Sequence, residues 1–198
     1  MAAMARAAAG GGAVGLRMNG PDDIRAARVV TNLPIIGLYK RPYGDCPVVI
    51  TPTFAEADAI ARAGAGIVAM DATARPRPDG VTATALIARI HADLGLPVLA
   101  DIAGLDDALA AEAAGADAVA TTLSGYVDPA APPLEDPDLA LVEVLARRLR
   151  VPVIAEGRIK TPEQVRAALD RGAFAVVVGT AITNPREITQ WFVRGLSR

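Results

Sequence analysis

Short β-branched runs alternate along this chain with longer Ala- and Leu-rich stretches, at a spacing of roughly thirty residues. The runs are continuously apolar rather than alternating, the pattern of parallel strands covered by helices on both faces. Strands are predicted over Ala13–Arg17, Pro34–Lys40, Gly66–Asp71, Pro97–Asp101, Ala116–Thr121, Val151–Glu156 and Phe174–Gly179. Helices are predicted over Ala2–Ala9, Pro21–Thr31, Phe54–Ala63, Ala83–Leu94, Leu105–Ala114, Asp138–Leu149, Pro162–Arg171 and Pro185–Gly195. Thr53, Thr161 and Asn184 stand where helix N-caps belong, the last two followed by proline. Gly64, Gly95, Gly115 and Gly172 stand where helices end before the next strand.

This many strand–helix units favours a closed barrel over an open doubly wound sheet. No G-x-G-x-x-G follows a strand and opens a helix, so the dinucleotide fingerprint is missing. The expected fold is therefore α/β, a single (β/α)8 TIM barrel of the phosphate-binding type over residues 1–198. The pattern opens on a helix, which implies a barrel lacking its first β-strand, with a gap for neighbouring elements or another chain to cover.

Composition narrows the function classes. With 198 residues and 52% hydrophobic content, the chain can bury a sizeable core. A formal net charge of -2 gives no reason to expect nucleic acid or an anionic membrane as partner. No apolar run reaches the length of a membrane-spanning helix. The opening Ala-rich stretch is broken by Gly10, Gly11 and Gly12, and reads as a first helix rather than a signal peptide. The lone Cys46 cannot form an internal disulfide, which fits a reducing, cytoplasmic setting. One cysteine and one histidine, His91, leave too few ligands for zinc, and no carboxylates cluster for magnesium. Neither metal nor cofactor is expected.

In such barrels the active site lies at the C-terminal ends of the strands. Here those ends carry Arg17, Lys40 with Arg41, Asp71, Asp101, Thr121 with Thr122, Glu156 with Arg158, and Gly179 with Thr180. Lys40 closes an apolar run, so its stem is expected to be partly buried. Burial and a nearby cation, Arg17 or Arg41, would push its amine toward the basic, neutral form needed for proton abstraction or Schiff-base chemistry. Glu156 closes a strand with no other polar residue; it is a sugar-hydroxyl ligand, a proton-transfer partner or an ion-pair partner of Lys40. Asp71 either contacts a hydroxyl or only fixes the loop that follows. The glycine-containing loops at Gly157 and at Gly179-Thr180 can bring backbone N–H groups close to a phosphate. His91, within a helix, reads as a surface or satisfied residue, and Trp191 with Phe192 as packing.

Several segments together resemble the bacterial N-acetylmannosamine-6-phosphate 2-epimerases, over about Met1 to Phe192. They are Pro34-Ile-Ile-Gly-Leu-Tyr-Lys-Arg, Ile50-Thr-Pro-Thr, Ala69-Met-Asp-Ala-Thr with Arg77-Pro-Asp-Gly, Ala100-Asp-Ile, Thr121-Thr-Leu-Ser-Gly-Tyr, Ile154-Ala-Glu-Gly-Arg-Ile, and Val176-Val-Val-Gly followed by Ala181-Ile-Thr. The resemblance implies an isomerase of amino-sugar and sialic-acid catabolism, acting on a small phosphosugar without metal or nicotinamide. It implies Lys40 as acid/base, Glu156 as its assistant, Arg17 and Asp101 at the sugar, and the phosphate on the loops at Gly157 and Gly179 with Thr180. The family tends to carry arginine where this chain has Asn184, which shifts phosphate anchoring toward Arg158 or Arg186. Two other readings stand beside this one: a Schiff-base aldolase using Lys40, and a truncated, inactive phosphosugar-binding protein. A homodimer across the open edge is a further expectation.

Overall fold

The computed structural model describes residues 1–128, 130 and 134–196. Seven strands form one parallel sheet in strictly sequential order: β1 Leu16–Asn19, β2 Ile35–Leu38, β3 Ile67–Asp71, β4 Val98–Asp101, β5 Ala118–Ala120, β6 Val153–Glu156 and β7 Ala175–Val177. Each strand therefore lies beside its neighbour in the chain, the order of a barrel and not of a doubly wound sheet. The sheet is a nearly closed barrel: among the described residues no pairing joins β1 to β7, so both keep one free edge.

Helices separate the strands: α1 Ala2–Gly10, α2 Pro21–Arg28, α3 Phe54–Arg62, α4 Ala83–Leu94, α5 Leu105–Ala113, α6 Leu139–Arg148, α7 Pro162–Asp170, α8 Thr180–Thr183 and α9 Pro185–Arg194. Two begin with reciprocal capping boxes. Thr53 accepts from the first turn of α3 while Glu56 reaches back to the Thr53 N–H, and Thr161 and Gln164 do the same for α7. The predicted elements are all present; β2 to β7 are one to three residues shorter than predicted, while β1 starts three residues later and runs two residues past Arg17. The short helix α8 and a 3-10 turn at Thr121–Leu123 are additions that sequence periodicity did not predict, since neither is long enough to show a period.

The strand pleat sorts the apolar residues into two layers. Ile35, Val68, Met70, Val98, Ala100, Val119, Val153 and Ala155 face outward into the larger core beneath the helices. Leu38, Ala69, Leu99, Ala120 and Ile154 form a second, inner core, with Ile36, Ile67, Ala175 and Val177 packed on it. Strands β2 to β6 thus have apolar residues packed on both faces, which explains the unbroken apolar runs. One expectation fails. Phe192 is 76% exposed and no residue of α9 is fully buried, although Ile188 and Trp191 are half-buried.

Gly37 sets how closely β2 meets the helices outside it. A Cβ there would stand 2.6 Å from the Ala65 Cβ and 3.0 Å from the Ile24 Cδ1. Gly37→Ala is expected to destabilise the chain by about 1–3 kcal/mol through overpacking. At this size that lowers Tm by roughly 2–4 °C per kcal/mol. An unchanged thermal melt would contradict the close packing.

Candidate active site

Strand parity brings the polar strand ends together. Leu38, Ala69, Leu99 and Ile154 face the inner core, so residues two further along, Lys40, Asp71, Asp101 and Glu156, fall on the same inward side. On β1, Leu16 and Met18 pack outward, which turns Arg17 and Asn19 inward. The inward layer that is apolar at mid-barrel becomes charged at the C-terminal mouth.

Arg17 is the centre of this layer. Its guanidinium donates to Asp101 Oδ2 at 2.6 Å through Nη2 and lies 3.2 Å from Glu156 Oε2 through Nη1. The side chains of Arg17 and Asp101 are 6% and 0% exposed, and that of Glu156 18%. Burial alone would lower the Arg17 pKa, but the charges of Asp101 and Glu156 outweigh it and raise it. Arg17 Nη1 is buried and makes no hydrogen bond within the chain, the 3.2 Å approach to Glu156 being an ion contact without hydrogen-bond geometry.

Thr122, on the 3-10 turn after β5, connects the two carboxylates. Its hydroxyl lies 2.8 Å from Asp101 Oδ1 and 3.1 Å from Glu156 Oε2. A hydroxyl has one proton, so it can donate to only one of them at a time. The preceding Thr121 ties β5 to β6: its hydroxyl donates to the Glu156 carbonyl at 2.9 Å and accepts the Glu156 N–H at 3.0 Å. Burial pushes the Glu156 carboxyl above the usual range. The Arg17 charge pulls the other way, Asp101 adds to the rise, and Thr122 and Lys40 oppose it weakly.

Lys40 departs from expectation in two ways. It is exposed rather than enclosed with the apolar run that precedes it. The cation expected beside it, Arg17, is engaged by Asp101 and Glu156, and Arg41 reaches toward Glu56 at 3.5 Å. Glu156 likewise pairs with Arg17 rather than with Lys40. Asp71 proves to fix its loop: its carboxylate accepts from the Thr73 N–H and hydroxyl and pairs with Arg75 at 2.5 Å. His91 is satisfied by Asp117 at 2.9 Å.

At the later strand ends, Gly157 (φ 107) and Arg158 (φ 58) turn the chain sharply after β6. Arg158 donates to the Asp136 and Ser124 carbonyls at 3.0 and 2.9 Å and lies over the Tyr126 ring. Two of its nitrogens therefore hold the segment after β5. Gly179 precedes α8, whose first residue is Thr180. Asn184 caps α9, accepting the Glu187 N–H at 3.2 Å, while Arg186 is 80% exposed beside Glu187. The asparagine thus has a structural use where an arginine was expected. Thr122 and Asn19 are the inward-facing groups that the strand-end reading underused; each follows from parity, Asn19 lying two residues after Arg17. Among the described residues no three His, Cys, Asp or Glu side chains converge as a metal site.

The raised Glu156 pKa has a consequence for stability. Between the unfolded carboxylate pKa of about 4.3 and the higher folded value, the native state binds more protons than the unfolded state. Its contribution is therefore fully present below that window and is lost as pH rises through the folded pKa. Glu156→Gln should remove this decline, so thermal melts of wild type and variant across pH should diverge within the window. Parallel curves would show that Glu156 is not perturbed.

The family model described as "Putative N-acetylmannosamine-6-phosphate epimerase" matches residues 1–198. A relative from Caldanaerobacter subterraneus, named "Putative N-acetylmannosamine-6-phosphate 2-epimerase", is 50% identical over 194 residues, covering 98% of this chain and 81% of its own. One of the same name from Thermosynechococcus vestitus is 50% identical over 198 residues, covering 99% and 85%. The solved N-acetylmannosamine-6-phosphate 2-epimerase of Clostridium perfringens superposes with a TM-score of 0.93 at 44% identity, over 98% of this chain and 84% of that one. A thiamine phosphate pyrophosphorylase from Pyrococcus furiosus, 19% identical, shares the fold with a TM-score of 0.64, covering 95% and 83%.

Proposed function

This chain belongs to the N-acetylmannosamine-6-phosphate epimerase family, and from that membership we propose that it inverts carbon 2 of N-acetylmannosamine 6-phosphate to give N-acetylglucosamine 6-phosphate. The observation that supports the reading is the Arg17, Asp101 and Glu156 cluster at the strand ends, with Lys40 near enough for its charge to act on Glu156. Family membership favours an isomerase over the aldolase and binding-protein readings.

Carbon 2 becomes acidic once the sugar ring opens, because it then neighbours the carbon-1 aldehyde. Inversion requires taking its proton, passing through an enolate and returning a proton to the opposite face. Lys40 is the proposed acid/base. Glu156, its carboxyl pushed up by burial, is the proposed partner that holds or supplies the proton exchanged with it. Arg17 offers the unpartnered Nη1 to a sugar oxygen, where a fixed donor stabilises charge developing in the transition state. Asp101 accepts from a sugar hydroxyl, and its pairing with Arg17 keeps that guanidinium aimed. The phosphate is proposed to lie on the backbone at Gly157, Gly179 and Thr180, with Arg158 supplying positive charge.

No described helix is long and apolar enough to cross a membrane. A cytoplasmic location is proposed from the free Cys46 and the phosphorylated substrate; recovery of the native protein in an extracellular fraction would refute it. A second copy of the chain is the proposed partner, since Phe192, Val193 and Leu196 are 76%, 55% and 79% exposed near the last helix. Light scattering that returns the mass of one chain would remove the dimer.

The reaction is tested by proton NMR of N-acetylmannosamine 6-phosphate in deuterated water. The expected product is N-acetylglucosamine 6-phosphate deuterated at carbon 2. Lys40→Met should abolish turnover while substrate binding persists; near-normal turnover in that variant overturns the assignment of the acid/base.

A further inference from the structure

Chain following β2 folds back over the end of that strand. Lys40 and Ile50 form an antiparallel bridge, and the Arg41 N–H donates to the Val49 carbonyl at 2.9 Å. Thr51 then engages both backbone polar groups of Tyr39. Its N–H donates to the Tyr39 carbonyl at 2.9 Å, and its hydroxyl accepts the Tyr39 N–H at 3.1 Å. The same hydroxyl donates to the Ala69 carbonyl on β3 at 2.6 Å. From the other side, Asn19 on β1 accepts the Lys40 N–H on its Oδ1 at 2.8 Å. Residues 39 and 40 are thus gripped by side chains from both flanks.

Thr51 is held where it does not go willingly. It is fully buried and has a φ of 45°, a left-handed conformation that is unfavourable for a β-branched residue. The buried Arg77 fastens it there, donating to the Thr51 and Pro52 carbonyls at 3.3 and 3.0 Å and to the Asp71 carbonyl. If Thr51 only closed a loop, glycine or asparagine would do so with less strain. What threonine adds is a hydroxyl that accepts from one strand and donates to the next, directly before Lys40.

We infer that Thr51 and Asn19 are positioning residues for Lys40. The lysine side chain is exposed, so packing does not fix the starting point of its flexible stem. The grip on its backbone does, and proton transfer is sensitive to misplacement of a reacting group by about 1 Å. This inference rests on the reading of Lys40 as acid/base.

The test compares wild type with Thr51→Val, which keeps the shape and removes the hydroxyl, Thr51→Ser, which restores it, and Asn19→Ala on the exposed end of β1. Each is assayed for kcat and KM on N-acetylmannosamine 6-phosphate and for amide hydrogen exchange by NMR. Thr51→Val and Asn19→Ala are expected to lower kcat by about 10- to 100-fold with KM within about twofold. Exchange should quicken at the Tyr39 amide in the first and at the Lys40 amide in the second, while β4 to β6 stay protected. Thr51→Ser should approach wild type in both readouts. Wild-type kcat in a folded Thr51→Val or Asn19→Ala overturns the inference, as does unchanged exchange at both amides. If Thr51→Val does not fold, Asn19→Ala decides. If wild type itself does not turn over the sugar, the proposed reaction fails, and the exchange data still decide whether the grip exists.

Discussion

A guanidinium buried between two carboxylates ties this barrel together across its mouth. Arg17 comes from β1, at one free edge of the sheet, while Asp101 and Glu156 come from β4 and β6. No backbone ladder joins β1 to either of those strands, so the charge cluster links what the sheet alone does not. Removing one member of a buried pair leaves the other charge uncompensated, at a cost of about 3–5 kcal/mol. Fold and site therefore depend on the same three side chains, and the cluster fixes how β1 lies over the interior.

The apolar layers make that cluster necessary. Strands buried on both faces present alternating residues to an outer and an inner core, and the inner core ends at Leu38, Ala69, Leu99 and Ile154. Two residues further on, the same pleat must point Lys40, Asp71, Asp101 and Glu156 toward the mouth. Charges placed there face low dielectric below and water above, so those that are buried need a partner. Asp71 finds its partner locally in Thr73 and Arg75 and is thereby withdrawn from the mouth. Asp101 and Glu156 have no such local partner and share Arg17 and Thr122 instead.

The element order, the helix caps and the strand-end residues are legible in the sequence because each is a local property. Continuous apolar runs, Thr53 and Thr161 ahead of helices, and polar residues at run ends need no knowledge of what lies opposite. What could not be read depends on distant pairing. Lys40 follows an apolar run, yet its side chain is exposed because Ile50 returns alongside it and does not cover it. Arg17 goes to Asp101 and Glu156, which are 84 and 139 positions away, rather than toward Lys40. Thr51 stands in the sequence only as part of the Ile50-Thr-Pro-Thr segment, and the contact with Ala69 shows that its hydroxyl spans two strands. Phe192 reads as packing beside Trp191 yet is exposed, since a local apolar pair does not show what it meets.

The two carboxylates around this guanidinium are not equivalent, and the difference begins with contact geometry. Asp101 holds the shorter contact, 2.6 Å, with a hydrogen bond from the same guanidinium. Glu156 is left with 3.2 Å and no hydrogen bond from Arg17. Its burial is then only partly offset, and Asp101 beside it raises its proton affinity further. Of the two carboxyls it is therefore Glu156 whose proton affinity is raised, with the Lys40 charge opposing the rise. In the proposed epimerisation this difference suits Glu156 to work with Lys40 on the proton and Asp101 to hold Arg17. Here it follows from which carboxylate Arg17 reaches first, and hence from the register that the parallel ladder imposes on β1, β4 and β6.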